Sequence, residues 1–83
     1  MRAHLQNQLR RIDDNVAELQ RLTVEQKEII ILCRRQGRDT AEEEATYHEL
    51  HVSLGEMERN RRATARLLAQ VEADYDALPY GMI

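Results

Sequence analysis

Apolar side chains recur along the first half of this chain at alternating intervals of four and three residues. The series is Leu5, Leu9, Ile12, Val16, Leu19, Thr23, Gln26, Ile30 and Cys33. Only Thr23 and Gln26 in this series are polar. The spacing is typical of the a and d positions of a coiled coil, so it predicts one long helix over about residues 3–36.

The second half of the chain repeats this rhythm. Its series is Tyr47, Leu50, Leu54, Met57, Arg61, Thr64, Leu68, Val71, Tyr75 and Leu78, with polar interruptions at Arg61 and Thr64. The pattern predicts a second long helix over about residues 40–77, which Pro79 ends. Residues 79–83 then form a short apolar tail that either frays or docks into a neighbouring molecule.

A stop signal and a start signal for helices lie close together between the two series. Gly37 is typical of the residue just after a helix, and Thr40 followed by Glu43 matches a capping box at the next helix start. A turn at 37–40 forces the two helices to be antiparallel. The predicted fold is therefore all-α, a single helical-hairpin domain over residues 1–83.

Thr23 and Gln26 allow two interpretations. They match a second capping box, at which the first helix would break and restart. They also fit a polar layer inside one continuous helix, with His51 as the residue facing Gln26 across the hairpin. We favour continuity because the register of apolar positions is unchanged across Thr23.

Charged residues are complementary when the chain is reflected about the turn, so that residue i faces roughly residue 77 minus i in an antiparallel pair. The reflection pairs Arg34 and Arg35 with Glu42 and Glu43, Arg21 with Glu56, Glu18 with Arg59, Asp13 and Asp14 with Arg62 and Arg66, and Arg2 with Asp74 and Asp76. Much of the charge is thereby expected to act between the helices, which leaves little of it to bind a ligand.

Composition argues against several classes of function. A formal net charge of −3 gives no overall attraction for nucleic acid or for an anionic membrane. The longest apolar run, residues 29–33, is too short to span a membrane, and the first residues lack the apolar stretch of a signal peptide. With Cys33 as the single cysteine, no internal disulfide forms, and we expect a cytoplasmic protein.

Residues that could carry chemistry are few and poorly spaced. His48 and His51 lie three residues apart, whereas the zinc-protease motif needs two histidines four apart with a glutamate between them. Glu44 shares their helix face, but no second group of ligands accompanies them. Cys33 at a seam position is expected to be a small buried hydrophobe. We therefore predict no catalytic residue, no metal, no cofactor and no enzymatic activity.

Two helices enclose only a seam, so apolar side chains flanking it are expected to meet another surface. The predicted interface residues are Leu22, Ile29, Leu32, Val52 and Leu67. The simplest such surface is a second copy, so we predict a homodimer that forms a four-helix bundle; a protein partner would satisfy the same need. In architecture such a chain resembles small hairpin co-chaperones and Rop-type bundles. The predicted function is protein–protein interaction, as an adaptor, co-chaperone or inhibitor.

A rival prediction is a small nucleic-acid-binding regulator that uses the basic cluster Arg59, Arg61, Arg62 and Arg66. Residues 22–32, with Gly37 after them, resemble the start of the helix-turn-helix region with which bacterial sigma factors bind the −35 promoter element. Residues 52–57 are similar to that family's turn into its recognition helix. The resemblance implies a degenerate promoter-binding module, although Glu56 and Glu58 stand where DNA phosphates would lie.

Overall fold

Two long helices make up the computed structural model, which describes residues 1–78. Helix α1 spans Arg2–Arg35 and helix α2 spans Ala41–Ala77. They pack against each other along their length as an antiparallel hairpin. The Cα cross-section is only 14 by 12 Å, as expected of two helices side by side. The predicted hairpin is confirmed, whereas the tail predicted at 79–83 lies outside the described residues.

Burial follows the predicted seam closely in α1. Every one of its a and d positions is buried or half-buried, and the most buried are Leu5, Ile12, Thr23, Ile30 and Cys33. In α2 the seam is shallower, since only Thr64 is buried, and Arg61, Tyr75 and Leu78 are exposed. No side chain in residues 1–78 is fully enclosed, because a pair of helices surrounds its seam on two sides only.

The turn takes the conformation that its glycine permits. Gly37 has a φ of +72°, in the left-handed region that favours glycine. The Gly37 amide donates to the Arg34 carbonyl oxygen (3.0 Å), and the Arg38 amide donates to that of Cys33 (3.0 Å). This pair of hydrogen bonds is a Schellman motif, which satisfies the last carbonyls of α1. The predicted helix stop is confirmed.

The start of α2 differs from the predicted capping box. Thr40 is the N-cap residue, but its side chain makes no capping hydrogen bond. Asp39 Oδ1 instead accepts a hydrogen bond from the Ala41 amide (3.3 Å), and Thr40 is buried beside the seam. The carboxylate one residue earlier therefore takes the role predicted for the threonine hydroxyl.

Helix α1 is continuous through Thr23, as favoured. The Thr23 hydroxyl donates to the Leu19 carbonyl oxygen of its own helix (2.7 Å), so it caps nothing. Gln26 does make a polar contact across the hairpin, but Nε2 donates to the Glu43 carbonyl oxygen (3.0 Å). The predicted polar contact between Gln26 and His51 is therefore wrong. His51 Nε2 is hydrogen-bonded to the Tyr47 hydroxyl of its own helix (2.9 Å).

The reflected charge pairs form only in part. Arg34 pairs with Glu44, one position beyond the predicted acids, and Asp13 pairs with Arg61. The predicted pairs of Arg21 with Glu56 and of Glu18 with Arg59 are wrong. Arg21 bonds to Glu18 and Glu25 on its own helix, where i,i+3 and i,i+4 neighbours lie closer than the opposite helix.

The turn implied by the sigma-factor resemblance is not found in the described residues. Residues 52–57 lie in the middle of α2, whose helix runs unbroken from Ala41 to Ala77. Residues 22–32 are likewise part of the continuous helix α1. The heptad register that holds the two helices together has overridden the local turn-like sequence. Neither helix has an apolar stretch long enough to cross a membrane.

Candidate interaction surfaces

Large apolar side chains remain exposed on the outside of the hairpin. Of the five predicted interface residues, Ile29, Leu32, Val52 and Leu67 are about half exposed and Leu22 is half-buried. Val24 and Ile31 are also exposed, although the flanking pattern did not single them out. Their separation by seven residues, which places both on one helix face, is the signal that could have found them.

Heptad positions assign these side chains to two different long faces. With the seam at a and d, the g positions of both helices lie along one side of an antiparallel pair and the e positions along the other. Two contacts confirm the e side: Gln6 Nε2 donates to Glu72 Oε1 (3.5 Å), and Arg34 pairs with Glu44, all four residues being at e. The opposite side is called the g face here.

The g face is almost free of charge. Its members over most of the hairpin are Gln8, Asn15, Leu22, Ile29, Thr46, Ser53, Asn60 and Leu67. In this chain 33% of the residues are charged, and g positions of coiled coils are commonly Glu or Lys. Val52 lies away from this face, on the outer side of α2, whereas Leu32 is at its margin. An uncharged strip beside the seam is typical of a helix surface that another helix covers.

A surface groove lies at the middle of the g face. It has a volume of 330 Å³ and is lined by Leu19, Ser53, Glu56, Met57 and Asn60. Leu19 and Met57 are seam residues, and Ser53 and Asn60 are g residues that are too short to cover them. The groove therefore exposes part of the seam halfway along the hairpin.

A second groove occupies the e side near the turn. Its volume is 320 Å³ and its lining consists of Lys27, Ile30, Ile31, Arg34, Glu44 and Tyr47. The Arg34–Glu44 ion pair belongs to this lining, and Lys27 adds another charge. This mixture of charged and apolar groups makes the e side a solvated face, in contrast to the g face.

The chain's candidate chemical groups are engaged in structural contacts. Cys33 is buried in the seam, as predicted. His51 stacks edge-on against the Tyr47 ring, with centroids 4.7 Å apart, besides bonding to its hydroxyl. Within residues 1–78 no three histidine, cysteine or acidic side chains are placed to share a metal ion. Glu44, the third candidate ligand, is bonded to Arg34 instead.

The basic cluster divides between two roles. Arg61 reaches out of the seam to Asp13, whereas Arg59, Arg62 and Arg66 form an exposed ridge on the outer side of α2. Among the described residues these three make no ion pair, so the predicted pairing of Arg62 and Arg66 with acids of α1 is wrong. Asp13, one of the predicted acids, is paired with Arg61 instead.

Glu18 illustrates how local pairing displaced the predicted contacts across the hairpin. Arg21 Nε donates a hydrogen bond to Glu18 Oε2 (3.1 Å), and this bond lowers the pKa of the Glu18 carboxyl. The same acid, with Glu25 beside it, raises the pKa of Arg21. All three side chains are more than half exposed, so the cluster supports α1 locally, and Glu18 and Glu25 occupy c positions at the α1 margin of the g face.

Fold and surface together define an antiparallel helical hairpin with one charged and one largely uncharged long face. No protein-family model, curated protein or solved structure matches this chain.

Proposed function

We propose that this chain is a non-enzymatic protein–protein interaction module that binds through the g face. Such a module acts as a small adaptor, a co-chaperone or an inhibitor of another protein. The single observation that carries the proposal is the uncharged strip from Gln8 to Leu67, which includes the half-exposed Ile29. A solvated face of a two-stranded coiled coil would carry charges at these positions.

The surface area supports the same proposal. The hairpin exposes 6551 Å² to solvent. A compact monomer of its mass, 9.7 kDa, is expected to expose roughly 5,100 Å². The excess of about 1,400 Å² is larger than the roughly 800 Å² that one partner contributes to a standard protein interface.

A non-enzymatic role agrees with the state of the few reactive groups. The thiol of Cys33 lies in the seam, out of reach of a substrate, and the His51 ring is held by Tyr47. Neither arrangement resembles a nucleophile beside its base. We place the module in the cytoplasm, where a lone thiol stays reduced.

Site-specific photocrosslinking in the native cell tests the proposal. A photoreactive benzoyl-phenylalanine replaces Ile29 on the g face or, as the matched control, Ile31 on the e side. The two isoleucines lie on the same helix with exposures of 45% and 47%, so they differ mainly in the face they occupy. We expect a discrete covalent adduct with a protein from position 29 and none from position 31. Equal yields, or no adduct from position 29, would refute the proposal.

Binding of nucleic acid is a second candidate, favoured only by the exposed ridge of Arg59, Arg62 and Arg66. Arg61 contributes little to it because Asp13 already pairs with that guanidinium. Three arginines would give a slope of log affinity against log salt of about −2 to −3. A gel-shift series with duplex RNA and DNA from low to moderate salt measures that slope. Failure to retard either duplex at low salt eliminates this candidate.

A further inference from the structure

Charge is strongly segregated along α2. Its first part, residues 41–58, contains no lysine or arginine and carries the acids Glu42, Glu43, Glu44, Glu49, Glu56 and Glu58. The next part, residues 59–66, contains no acid and carries Arg59, Arg61, Arg62 and Arg66. The boundary between the two parts lies halfway along the helix, at the level of the groove between Leu19 and Met57.

Helix α1 does not neutralise this segregation. Within residues 1–78 the ion pairs that cross the hairpin are Arg34 with Glu44 and Asp13 with Arg61. Glu49 and Glu56 occupy c positions, next to the g positions, and Arg59 and Arg66 occupy the neighbouring f positions. An acidic margin and a basic margin therefore follow each other along the same edge of the g face, without partners in the described hairpin.

From this arrangement we propose that the g face binds the g face of a second copy of the chain, with the long axes of the two hairpins antiparallel. The two-fold axis lies between the two g faces, perpendicular to the helices and at the level of Met57. The inference rests on the proposed function and names the partner. A two-fold axis at this level brings Glu56 opposite Arg59 of the second copy, and the same register brings Glu49 opposite Arg66. A parallel dimer would instead stack α2 of one copy on α1 of the other, so it would not bring these glutamates and arginines of α2 together.

The apolar members of the g face fit the same symmetry. Ile29 lies about ten residues from the mid-level towards the turn, and Leu67 lies about as far towards the open end. A two-fold axis at mid-level therefore sets Ile29 of each copy at the level of Leu67 of the other, diagonally across the bundle, because α1 then faces α1 and α2 faces α2. The groove lined by Leu19 and Asn60 lies on the axis, where side chains of the second copy would cover it. The product is a four-helix bundle.

The mass in solution tests the identity of the partner. Light scattering coupled to gel filtration is expected to give about twice 9.7 kDa for the natural chain. Ile29→Asp should raise the dissociation constant of the dimer at least about a hundredfold, because each dimer carries the change twice. Ile31→Asp, its matched control, should leave that constant within about threefold. A monomeric natural chain, or equal effects of both changes, overturns the inference.

Distance measurement by electron spin resonance tests the orientation. In a Cys33→Ala background, Arg38→Cys carries a spin label on the exposed turn. In a dimer whose two hairpins run antiparallel, the two labels are more than about 45 Å apart. In a dimer whose hairpins run parallel, they are within about 30 Å. A short distance overturns the antiparallel arrangement.

Charge reversal provides an independent check of the register. Arg59→Glu with Arg66→Glu should weaken the dimer about tenfold or more at low salt, since four rim contacts become repulsive. Adding Glu49→Arg and Glu56→Arg to that variant exchanges the two margins and should restore dimerisation. Lack of rescue by the fourfold variant contradicts the register.

Failure of this inference is distinguishable from failure of the proposed function. A monomeric chain whose position 29 still crosslinks to a different protein overturns the second copy as partner and leaves the interaction module intact. A monomeric chain with no adduct at position 29 overturns both.

Discussion

Three consecutive isoleucines allow the position of the seam to be tested by making the same substitution at each of them. Ile30 is 7% exposed in the seam, whereas Ile29 and Ile31 are 45% and 47% exposed on opposite sides of α1. Alanine at each position removes the same atoms and introduces the same helix-favouring residue. Differences among the three variants therefore report on what surrounds each side chain.

The expected magnitudes differ severalfold. Burial predicts that Ile30→Ala lowers the free energy of unfolding by about 2–4 kcal/mol. A chain of this length is expected to have a total of roughly 4–12 kcal/mol, so that single change removes a large fraction of it. Ile31→Ala should cost less than about 1 kcal/mol, because half of its side chain is already in water and alanine favours the helix by about 0.4 kcal/mol.

Ile29→Ala distinguishes the stability of a single hairpin from the stability that the dimer adds. At low protein concentration its cost should match that of Ile31→Ala, since the two side chains are equally exposed in one hairpin. At high concentration its cost should rise, because the dimer that Ile29 stabilises contributes to the measured stability. Ile30→Ala should be costly at every concentration.

Urea unfolding followed by circular dichroism at several protein concentrations measures all three effects. A cost of Ile31→Ala equal to that of Ile30→Ala would show that the register of the seam is wrong. Equal costs at all three positions would indicate helices that slide past each other without a unique seam. A cost of Ile29→Ala independent of concentration would argue against the g face as an interface.

The other predictions concern the turn, a seam hydroxyl and acid stability. Gly37→Ala should lower the free energy of unfolding by about 1–2 kcal/mol, because Gly37 has a positive φ. Gly55→Ala should raise it by about 1 kcal/mol, because Gly55 lies inside α2 with only the end of the Arg59 side chain nearby. Chemical denaturation measures the sign of both changes. Thr23→Val should raise stability by up to about 1 kcal/mol, since the lost hydroxyl bonds only its own helix; an unchanged or lower midpoint would contradict this. The lowered pKa of Glu18 stabilises the fold above the ordinary carboxyl pKa, and this stabilisation is lost as the pH falls through the lowered pKa. In an acid titration, the stability difference between the natural chain and Glu18→Gln should therefore shrink as the pH falls below the ordinary carboxyl pKa. A pH-independent difference would contradict this.

Sequence periodicity alone was enough to predict the fold. The alternation of four and three residues identified every seam position of α1, and it did so through Thr23, where a local capping pattern suggested a break. The glycine at 37 predicted the end of α1 and hence the antiparallel arrangement. These features are local and repeated, and each repeat adds to the same register, so one misleading position cannot change it.

The candidate surface was only partly predictable. Leu22, Ile29 and Leu67 were identified as flanking apolar residues and share the g face, but Val52 lies on the outer side of α2. The periodic pattern also assigns Arg61 to a seam position. Its long side chain instead leaves the seam to reach Asp13, a freedom that periodicity does not describe.

The residue pattern was sufficient to predict the backbone: two helices, their limits within about a residue, and the line along which they meet. The charge pairs, in contrast, became evident only in the folded hairpin. Arg21 had a candidate partner on each helix and took the two on its own, and Asp39 took the capping role expected of Thr40. The reason is energetic. The seam sums many buried apolar contacts that share one register, whereas an exposed ion pair contributes at most about 1 kcal/mol and several alternatives lie within that range.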